Sequence, residues 1–290
     1  MADKEIRFPD LNEAFEGASS LEQVSKNYEM LLREQGDIDC VLYANKLQQF
    51  RKMTQITKLR ELEKEFHELK EHVREIAKEH GISITVERRR KDFLGLNEKI
   101  RRNLKYGISL EKVQDLLGFR LIILSGEIDN ECSIKLCYEV LNRIIQYFVT
   151  ERSCLLTEAE PVIDTEFQRE NFPNIVIPER SYISPFFMEN VKDYIRVPKK
   201  NSYQSLHTVF RKIDGFIFEV QVRSLAMDIN AQYGVAAHDP YKEKKYENVN
   251  IALDFSKVHL HGFAILEDGT IVDKIGLIHS VDPFNVLTIE

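Results

Sequence analysis

Residues 209–223 constrain the fold more than any other stretch of the chain. Val209-Phe210-Arg211-Lys212-Ile213 and Phe216-Ile217-Phe218-Glu219-Val220-Gln221-Val222-Arg223 flank Asp214-Gly215, and two β-rich runs around an Asp-Gly pair spell an antiparallel hairpin with a type I′ turn. Alternation along the second run puts Phe216, Phe218, Val220 and Val222 on one face and Ile217, Glu219, Gln221 and Arg223 on the other. The apolar face commits the hairpin to a sheet with a core beneath it. The opposite face carries a carboxylate, an amide and a guanidinium in a row, so it is either the wet side of a half-exposed sheet or part of a site.

The remaining periodicities supply helices to cover such a sheet. Residues 1–80 read as helical, and Ile56, Leu59, Leu62, Phe66, Leu69, Val73 and Ile76 form one stripe at three- and four-residue steps, closed by Gly81,. That stripe either packs on its own domain or forms an intersubunit bundle. Ile82, Ile84 and Val86 share one face of a strand, residues 93–106 read as a helix, and Ser109 caps a short third one,. Gly118–Leu124 reads as a buried strand and Cys137–Phe148 as an amphipathic helix,. Residues 155–189 are irregular, punctuated by Pro161, Pro173, Pro178 and Pro185, a length usual for functional loops. Near the C-terminus, 263–266 and 270–272 flank Glu267-Asp268-Gly269 as a second hairpin. The expectation is an α+β chain: an N-terminal helical segment (1–80), a mixed-sheet domain flanked by helices (81–245) and a β-rich extension (246–290).

Gly and Pro together number 20 of 290 residues, too few for collagen or a turn-dense sandwich. A net charge of −7 lacks the global signature of a non-specific nucleic-acid binder. The longest aliphatic runs fall far short of the ~20 residues of a membrane span, and the N-terminus lacks a signal-peptide core. Cys40, Cys132, Cys137 and Cys154 form no C-x-x-C pair, which fits reduced thiols in a cytoplasmic protein.

Local charge is more telling. Residues 86–105 hold eight cations against three carboxylates, a local excess of +5, which suits a polyphosphate or an RNA backbone equally. Asp115 precedes the 118–124 strand and meets Glu219 if the two strands are neighbours, and two carboxylates from separate strands are the usual minimum for holding Mg²⁺ against substrate phosphates. Lys199-Lys200-Asn201-Ser202-Tyr203-Gln204-Ser205-Leu206-His207-Thr208 gathers phosphate-binding, amide, hydroxyl and imidazole groups around a Tyr able to stack on a base,.

In order, Arg89-x-Lys91 with Lys99, Asp115-Leu-Leu-Gly118-Phe-Arg120, Val191-Lys-Asp-Tyr-Ile, Pro198-Lys199-Lys-Asn201-Ser-Tyr203-Gln-Ser-Leu-His207-Thr, Glu219-Val-Gln221-Val-Arg223, Met227 through Ala231 and Gly234-Val-Ala-Ala-His238 with Tyr241-Lys242 resemble the synthetase domain of the RelA/SpoT family. The resemblance covers about residues 82–245 and implies a nucleotidyltransferase-like synthetase fold. It also implies ATP-dependent pyrophosphate transfer to the 3′-hydroxyl of GDP or GTP. By that resemblance Asp115 and Glu219 are the catalytic pair and the Mg²⁺ ligands, with Glu219 alternatively the proton acceptor. Arg89, Lys91, Lys99 and Arg120 bind ATP, and Lys199, Asn201, Tyr203, His207, Gln221 and Arg223 serve the acceptor nucleotide. Ser202 stands where the family has glycine, Gly95 where it has serine, and Ala231-Gln232 where Ala-Glu is common, which puts acceptor identity in question. Long family members add a hydrolase with His-Asp and Glu-Asp metal motifs. His238-Asp239, the one His-Asp pair here, lies inside the synthetase match, so the expectation is a synthetase without its own hydrolase. Two alternatives stay open: a toxin-type member that modifies the 3′ end of tRNA, and a catalytically silent module that binds nucleotide or a protein antitoxin. The family's tendency to assemble makes the Ile56–Ile76 stripe a candidate homo-oligomer interface.

Overall fold

In a computed structural model the described residues are 7–18, 21–53, 56–91, 93–124, 131–159, 175–233, 264–265 and 271–272. The helices are α1 (Leu21–Gln35), α2 (Ile38–Met53), α3 (Ile56–His80), α4 (Phe93–Lys105), α5 (Glu131–Gln146) and α6 (Leu225–Tyr233). The strands are β1 (Ser83–Arg90), β2 (Leu117–Leu124), β3 (Leu155–Leu156), β4 (Val191–Asp193), β5 (Leu206–Arg211), β6 (Ile217–Ser224), β7 (Ala264–Ile265) and β8 (Ile271–Val272). The first six strands form one mixed sheet in the order β1-β2-β6-β5-β3, with β4 also paired to β5. β2 and β6 run parallel at its centre, while β1 on β2 and β5 on β6 are antiparallel. This is the α+β mixed sheet expected from the hairpin and its flanking helices.

Pairing in register puts cross-strand partners on the same face. Arg89, Gly118, Glu219 and Val209 form one row across β1, β2, β6 and β5, and Glu87, Arg120, Gln221 and His207 form the next. The opposite face is apolar: Val86, Phe119, Leu121, Val220, Val222, Leu206, Phe210 and Phe218 pack under α3 and α5 in a single core. β6 is buried along nearly its whole length, so its polar residues do not form the water-facing side of a half-exposed sheet.

Leu62, Phe66, Leu69, Val73 and Ile76 of α3 lie in this core, each at most 4% exposed. The apolar stripe therefore packs on its own chain, and this corrects its reading as a subunit interface; the side chains of Ile56 and Leu59 lie outside the described set. Glu65, beside Phe66, is buried and satisfied by Lys212 at 2.5 Å and Arg152 at 3.4 Å, which ties α3 to the β5–β6 turn.

A second core joins α1 and α2 to α4 and the segment before β2, through Tyr28, Tyr43, Leu47 and Phe50 against Phe93, Leu96, Ile100, Val113 and Leu116. The Tyr43 hydroxyl donates to the Asn97 carbonyl at 3.1 Å. Ser109 caps a 3₁₀ turn, Leu110–Lys112, rather than a full helix.

The β5–β6 turn differs from the expected type I′. Gly215 alone in it has positive φ, at 83°, and its amide donates to the Lys212 carbonyl at 2.9 Å while the Lys212 amide donates to Phe216 at 2.8 Å. A turn closed by one left-handed glycine is the three-residue loop with a bulge. Asp214 is spared positive φ because its carboxylate instead accepts from the Phe216 amide at 2.9 Å.

Of the irregular 155–189 segment, 160–174 lie outside the described residues, and Pro185–Asn190 form a 3₁₀ turn leading into β4. β7 pairs with β8 as the second hairpin requires. Its Glu267-Asp268-Gly269 turn, and the Gly234–His238, Asp239 and Tyr241-Lys242 motif residues, also fall outside the described set.

Candidate active site

One carboxylate lies on the polar sheet face and a second just before the neighbouring parallel strand. Glu219 sits on β6 directly opposite Gly118 of β2, and Asp115 lies three residues before that glycine on the approach to the strand. Each is clamped by cations. Lys91 and Lys99 reach the two oxygens of Asp115 at 2.7 and 2.6 Å, and Arg89 reaches Glu219 at 2.8 Å. Gln221, two residues along β6, donates to the same Glu219 oxygen at 2.6 Å, and His207 Nδ1 meets the other at 3.1 Å.

These contacts decide the charge states. Burial opposes ionisation of both carboxyls, but Lys91, Lys99 and Arg89 hold Asp115 well below the usual carboxylate range. His207 and Arg89 hold Glu219 down to about 2 against burial and the nearby Asp115 charge. Burial pushes the Lys91 ammonium down, with Asp115 opposing that shift.

Residues of the Lys199–His207 loop form an adjoining cluster. Tyr203 Oη lies 3.0 Å from His207 Nε2, so a chain of contacts runs Tyr203–His207–Glu219–Arg89. The Lys199 ammonium sits 4.8 Å from the Tyr203 ring centroid and 4.6 Å from that of Tyr194. Burial pushes the Tyr203 phenol up, but the charges of His207, Arg223, Lys199 and Arg120 outweigh it and bring the group down to about 6. Asn201 lies in the turn between Lys199 and Tyr203, which closes through Ser202 N to Lys199 O at 2.8 Å and Lys199 N to Tyr203 O at 3.1 Å.

Ser202 itself has φ 62°, a left-handed conformation that favours glycine. Asn230 of α6 explains how serine is held there, donating to the Ser202 carbonyl at 3.1 Å and contacting its hydroxyl at 3.0 Å. Asn230→Ala is expected to cost about 1–2 kcal/mol in thermal unfolding, and that cost should shrink when Gly stands at 202. A double-mutant cycle by calorimetry measures the coupling, and strict additivity would show that the two residues act independently.

Other anticipated residues are placed differently. Arg120 pairs with Glu87 at 3.1 Å in the row beside that of Arg89, Gly118 and Glu219, and Arg223 is fully buried against Asp228 of α6, which also accepts from Gln232. Arg120 and Arg223 lie within electrostatic range of each other and of Asp228 and Tyr203. The basic 86–105 stretch is not one patch. Arg88 turns to the core face, pairing with Glu63 over the Phe66 ring, and Arg101 is taken up between Phe8 and Tyr28. Arg89, Lys91 and Lys99 remain at the carboxylates. Tyr194, Asp228 and Asn230 were not assigned roles from sequence; Tyr194 could have been suspected from its place in the Val191–Ile195 motif.

Among the described residues no group of three His, Cys, Asp or Glu side chains surrounds a common point. Asp115 and Glu219 are close enough to influence each other's charge. A pair of this kind suits a cation that brings further oxygens with it, which is how Mg²⁺ is commonly held beside substrate phosphates. No helix among the described residues is long and apolar enough to cross a membrane.

Fold and site together define an α+β domain whose polar sheet face gathers cations around two carboxylates. Residues 176–246 match the family described as the region found in RelA / SpoT proteins. The guanosine-3′,5′-bis(diphosphate) 3′-pyrophosphohydrolase of Spiroplasma citri is 30% identical over 186 residues, covering 62% of this chain and 19% of the relative. The protein of the same name from Aquifex aeolicus (strain VF5) is 32% identical over 173 residues, 60% of this chain and 18% of the relative. The bifunctional (p)ppGpp synthase/hydrolase SpoT of Escherichia coli (strain K12) is 57% identical over 53 residues, 18% of this chain and 8% of that protein. The chain spans about a fifth of the length of the first two. Among solved structures, the small alarmone synthetase 1 of Bacillus subtilis bound to its product pppGpp matches with TM-score 0.39 at 20% identity, covering 70% of this chain and 83% of that one.

Proposed function

We propose that this domain transfers pyrophosphate from ATP to the 3′-hydroxyl of GDP or GTP, making (p)ppGpp in the cytoplasm. The observation that carries the reading is the clamp of Arg89 on Glu219 of β6 and of Lys91 and Lys99 on Asp115, just before β2. Every cation in it is paired with a carboxylate that can exchange partners: phosphate oxygens take the cations, and the carboxylates turn to a metal and a hydroxyl. The name of the SpoT relative, a (p)ppGpp synthase/hydrolase, supports this substrate class.

In the reaction the acceptor 3′-oxygen attacks the β-phosphorus of ATP, the bond from that phosphorus to the bridging oxygen of the α-phosphate breaks, AMP leaves, and the hydroxyl proton goes to Glu219. Little covalent work falls to the protein, so positioning and charge neutralisation dominate. Lys91 and Lys99 hold the β- and γ-phosphates. As Arg89 moves to phosphate, Glu219 loses its guanidinium and becomes more basic. Tyr203 stacks on the guanine, with Lys199 against its ring, and Asn201 and His207 contact the acceptor. Gln221 fixes the Glu219 rotamer, while Arg223 and Arg120 carry the acceptor side from beneath. Asp115 and Glu219 are the residues that would hold Mg²⁺, which when bound would supply neutralisation of the developing charge.

The test is incubation with γ-labelled ATP, Mg²⁺ and GDP, GTP or deacylated tRNA, with Asp115→Asn as control. Label is expected in a guanosine tetra- or pentaphosphate with the wild type and not with the variant, whose circular dichroism stays native. Label in tRNA alone would identify the toxin-type reaction, and label in no acceptor would indicate a silent nucleotide- or antitoxin-binding module.

A further inference from the structure

Asp193 closes the short strand β4, and alternation along that strand decides where its neighbours point. Val191 lies in the sheet core, so Asp193 turns to the same side, toward α5, while Lys192, paired with His207, lies on the polar face,. The Asp193 carboxylate gathers donors from three separate segments. The Tyr138 hydroxyl of α5 lies 2.9 and 3.0 Å from its two oxygens, the Ser181 hydroxyl donates at 2.7 Å, and the backbone amide of Arg196 donates at 2.8 Å. Burial and the Asp193 charge push the Tyr138 phenol well up, so it remains a donor.

Asn142 of α5 fastens the segment around Ser181 a second time, donating to the Tyr182 carbonyl at 3.1 Å and accepting from the Ser184 amide at 3.1 Å. Beyond β4 the Tyr194 amide donates to the Ser205 carbonyl and the Val197 amide to the Asp193 carbonyl, both at 3.1 Å. The Arg196 bond to the carboxylate closes that same turn from the side chain, as aspartates commonly do. Tyr194 sits at its start, with its ring centroid 5.3 Å from that of His207 and 6.1 Å from that of Tyr203, and with the Lys199 ammonium 4.6 Å away. One carboxylate thus ties α5 and the 181–184 segment, behind the sheet, to the ring that flanks the cluster on the polar face.

A carboxylate costs more to bring to the edge of an apolar core than a neutral side chain does, and what this one secures is the direction of the chain at Tyr194. We propose that Asp193 is a positioning residue for the acceptor nucleotide: by fixing the 193–197 turn to α5 and the 181–184 segment, it holds Tyr194 against Tyr203, His207 and Lys199. The inference rests on the reading of that cluster as the acceptor site and extends it to a residue that acts through Tyr194 from outside the cluster.

The full chain would be titrated with GDP and, separately, with ATP, both with Mg²⁺, by calorimetry. Asp193→Asn keeps the shape of the side chain and loses its charge and one acceptor; it is expected to weaken GDP binding about ten- to a hundredfold, the effect of losing hydrogen bonds to a charged group, with ATP affinity unchanged within about twofold. Tyr138→Phe, which keeps the ring and removes one donor, should weaken GDP binding by about two- to tenfold. In steady-state transfer the loss should fall on the acceptor KM rather than on kcat. Ile144→Val, in the core on the same helix, is the control: it should lower the melting temperature and leave GDP binding unchanged. A purely structural carboxylate would weaken both nucleotides together as the melting temperature falls, and that pattern overturns the assignment. Should Asp193→Asn not fold, Tyr138→Phe makes the same comparison, and unchanged GDP affinity there overturns it too. GDP binding by the wild type with no loss in the variants rejects Asp193 alone, whereas no GDP binding by the wild type rejects the acceptor-site reading with it.

Discussion

Replacing Glu219 by Gln is expected to lower pyrophosphate transfer by about a hundred- to ten-thousandfold, the range for loss of a positioned proton acceptor, while the fold persists. Gln keeps the length of the side chain and can still engage Gln221 and His207, which contact Glu219 at 2.6 and 3.1 Å. It lacks the charge that pairs with Arg89 and cannot take the hydroxyl proton. The fold should tolerate the change because Arg89 is part-exposed and can recover solvent when its partner is gone. The loss should fall on kcat, with ATP affinity changing little or improving as Arg89 is released to phosphate. Since its neighbours hold Glu219 down to about 2 in the free protein, the wild-type profile of kcat/KM against pH, which reports the free enzyme, should show no acid limb from this carboxyl above about pH 4. Steady-state rates across pH check both statements. Transfer by Glu219→Gln within about tenfold of wild type would move the proton to another acceptor, and His207 is the group in contact.

The particular residues show why some of this was legible in the sequence and some was not. β6 announced itself because alternation and an Asp-Gly pair are local signals, and its polar row followed from a period of two. The pairing of β2 with β6, which brings Asp115 and Glu219 together, is a contact between residues about a hundred apart; only the conditional statement about neighbouring strands was available beforehand. The basic 86–105 stretch misled by counting charge without direction. Arg88 and Arg89 are adjacent in sequence but face opposite sides of β1, so one pairs in the core with Glu63 and the other meets Glu219. Asn230 was invisible because Ser202's left-handed backbone is a tertiary fact, although the glycine the family places there hinted at it. The turn at Asp214-Gly215 shows the converse: the dipeptide correctly marked a hairpin, yet the Asp side chain found a backbone donor and selected a different loop.

Gly118→Ala is expected to disable the site with the smallest chemical change available. A Cβ on Gly118 would lie 2.1 Å from the backbone oxygen of Glu219 and 2.9 Å from its carbonyl carbon, far inside the ~3.5 Å at which such atoms come to rest. Backbone on both sides leaves no flexible side chain to yield. β2 and β6 must therefore separate locally by about 1 Å or more, at the rung that sets Glu219 beside Arg89 and the approach to Asp115. Overpacking of this kind costs about 1–3 kcal/mol of stability. A displacement of about 1 Å between reacting groups costs a hundredfold or more in rate. The substitution touches neither carboxylate and removes no cation, so a large loss of kcat in a chain that still melts cooperatively would locate the chemistry on the spacing of these two strands. Phe119→Leu, one residue on and facing the apolar core, is the control: it should lower the melting temperature to a similar degree while leaving transfer nearly intact. If both variants lose activity in proportion to stability, the close β2–β6 approach serves the fold alone and the site tolerates a wider separation of its two carboxylates.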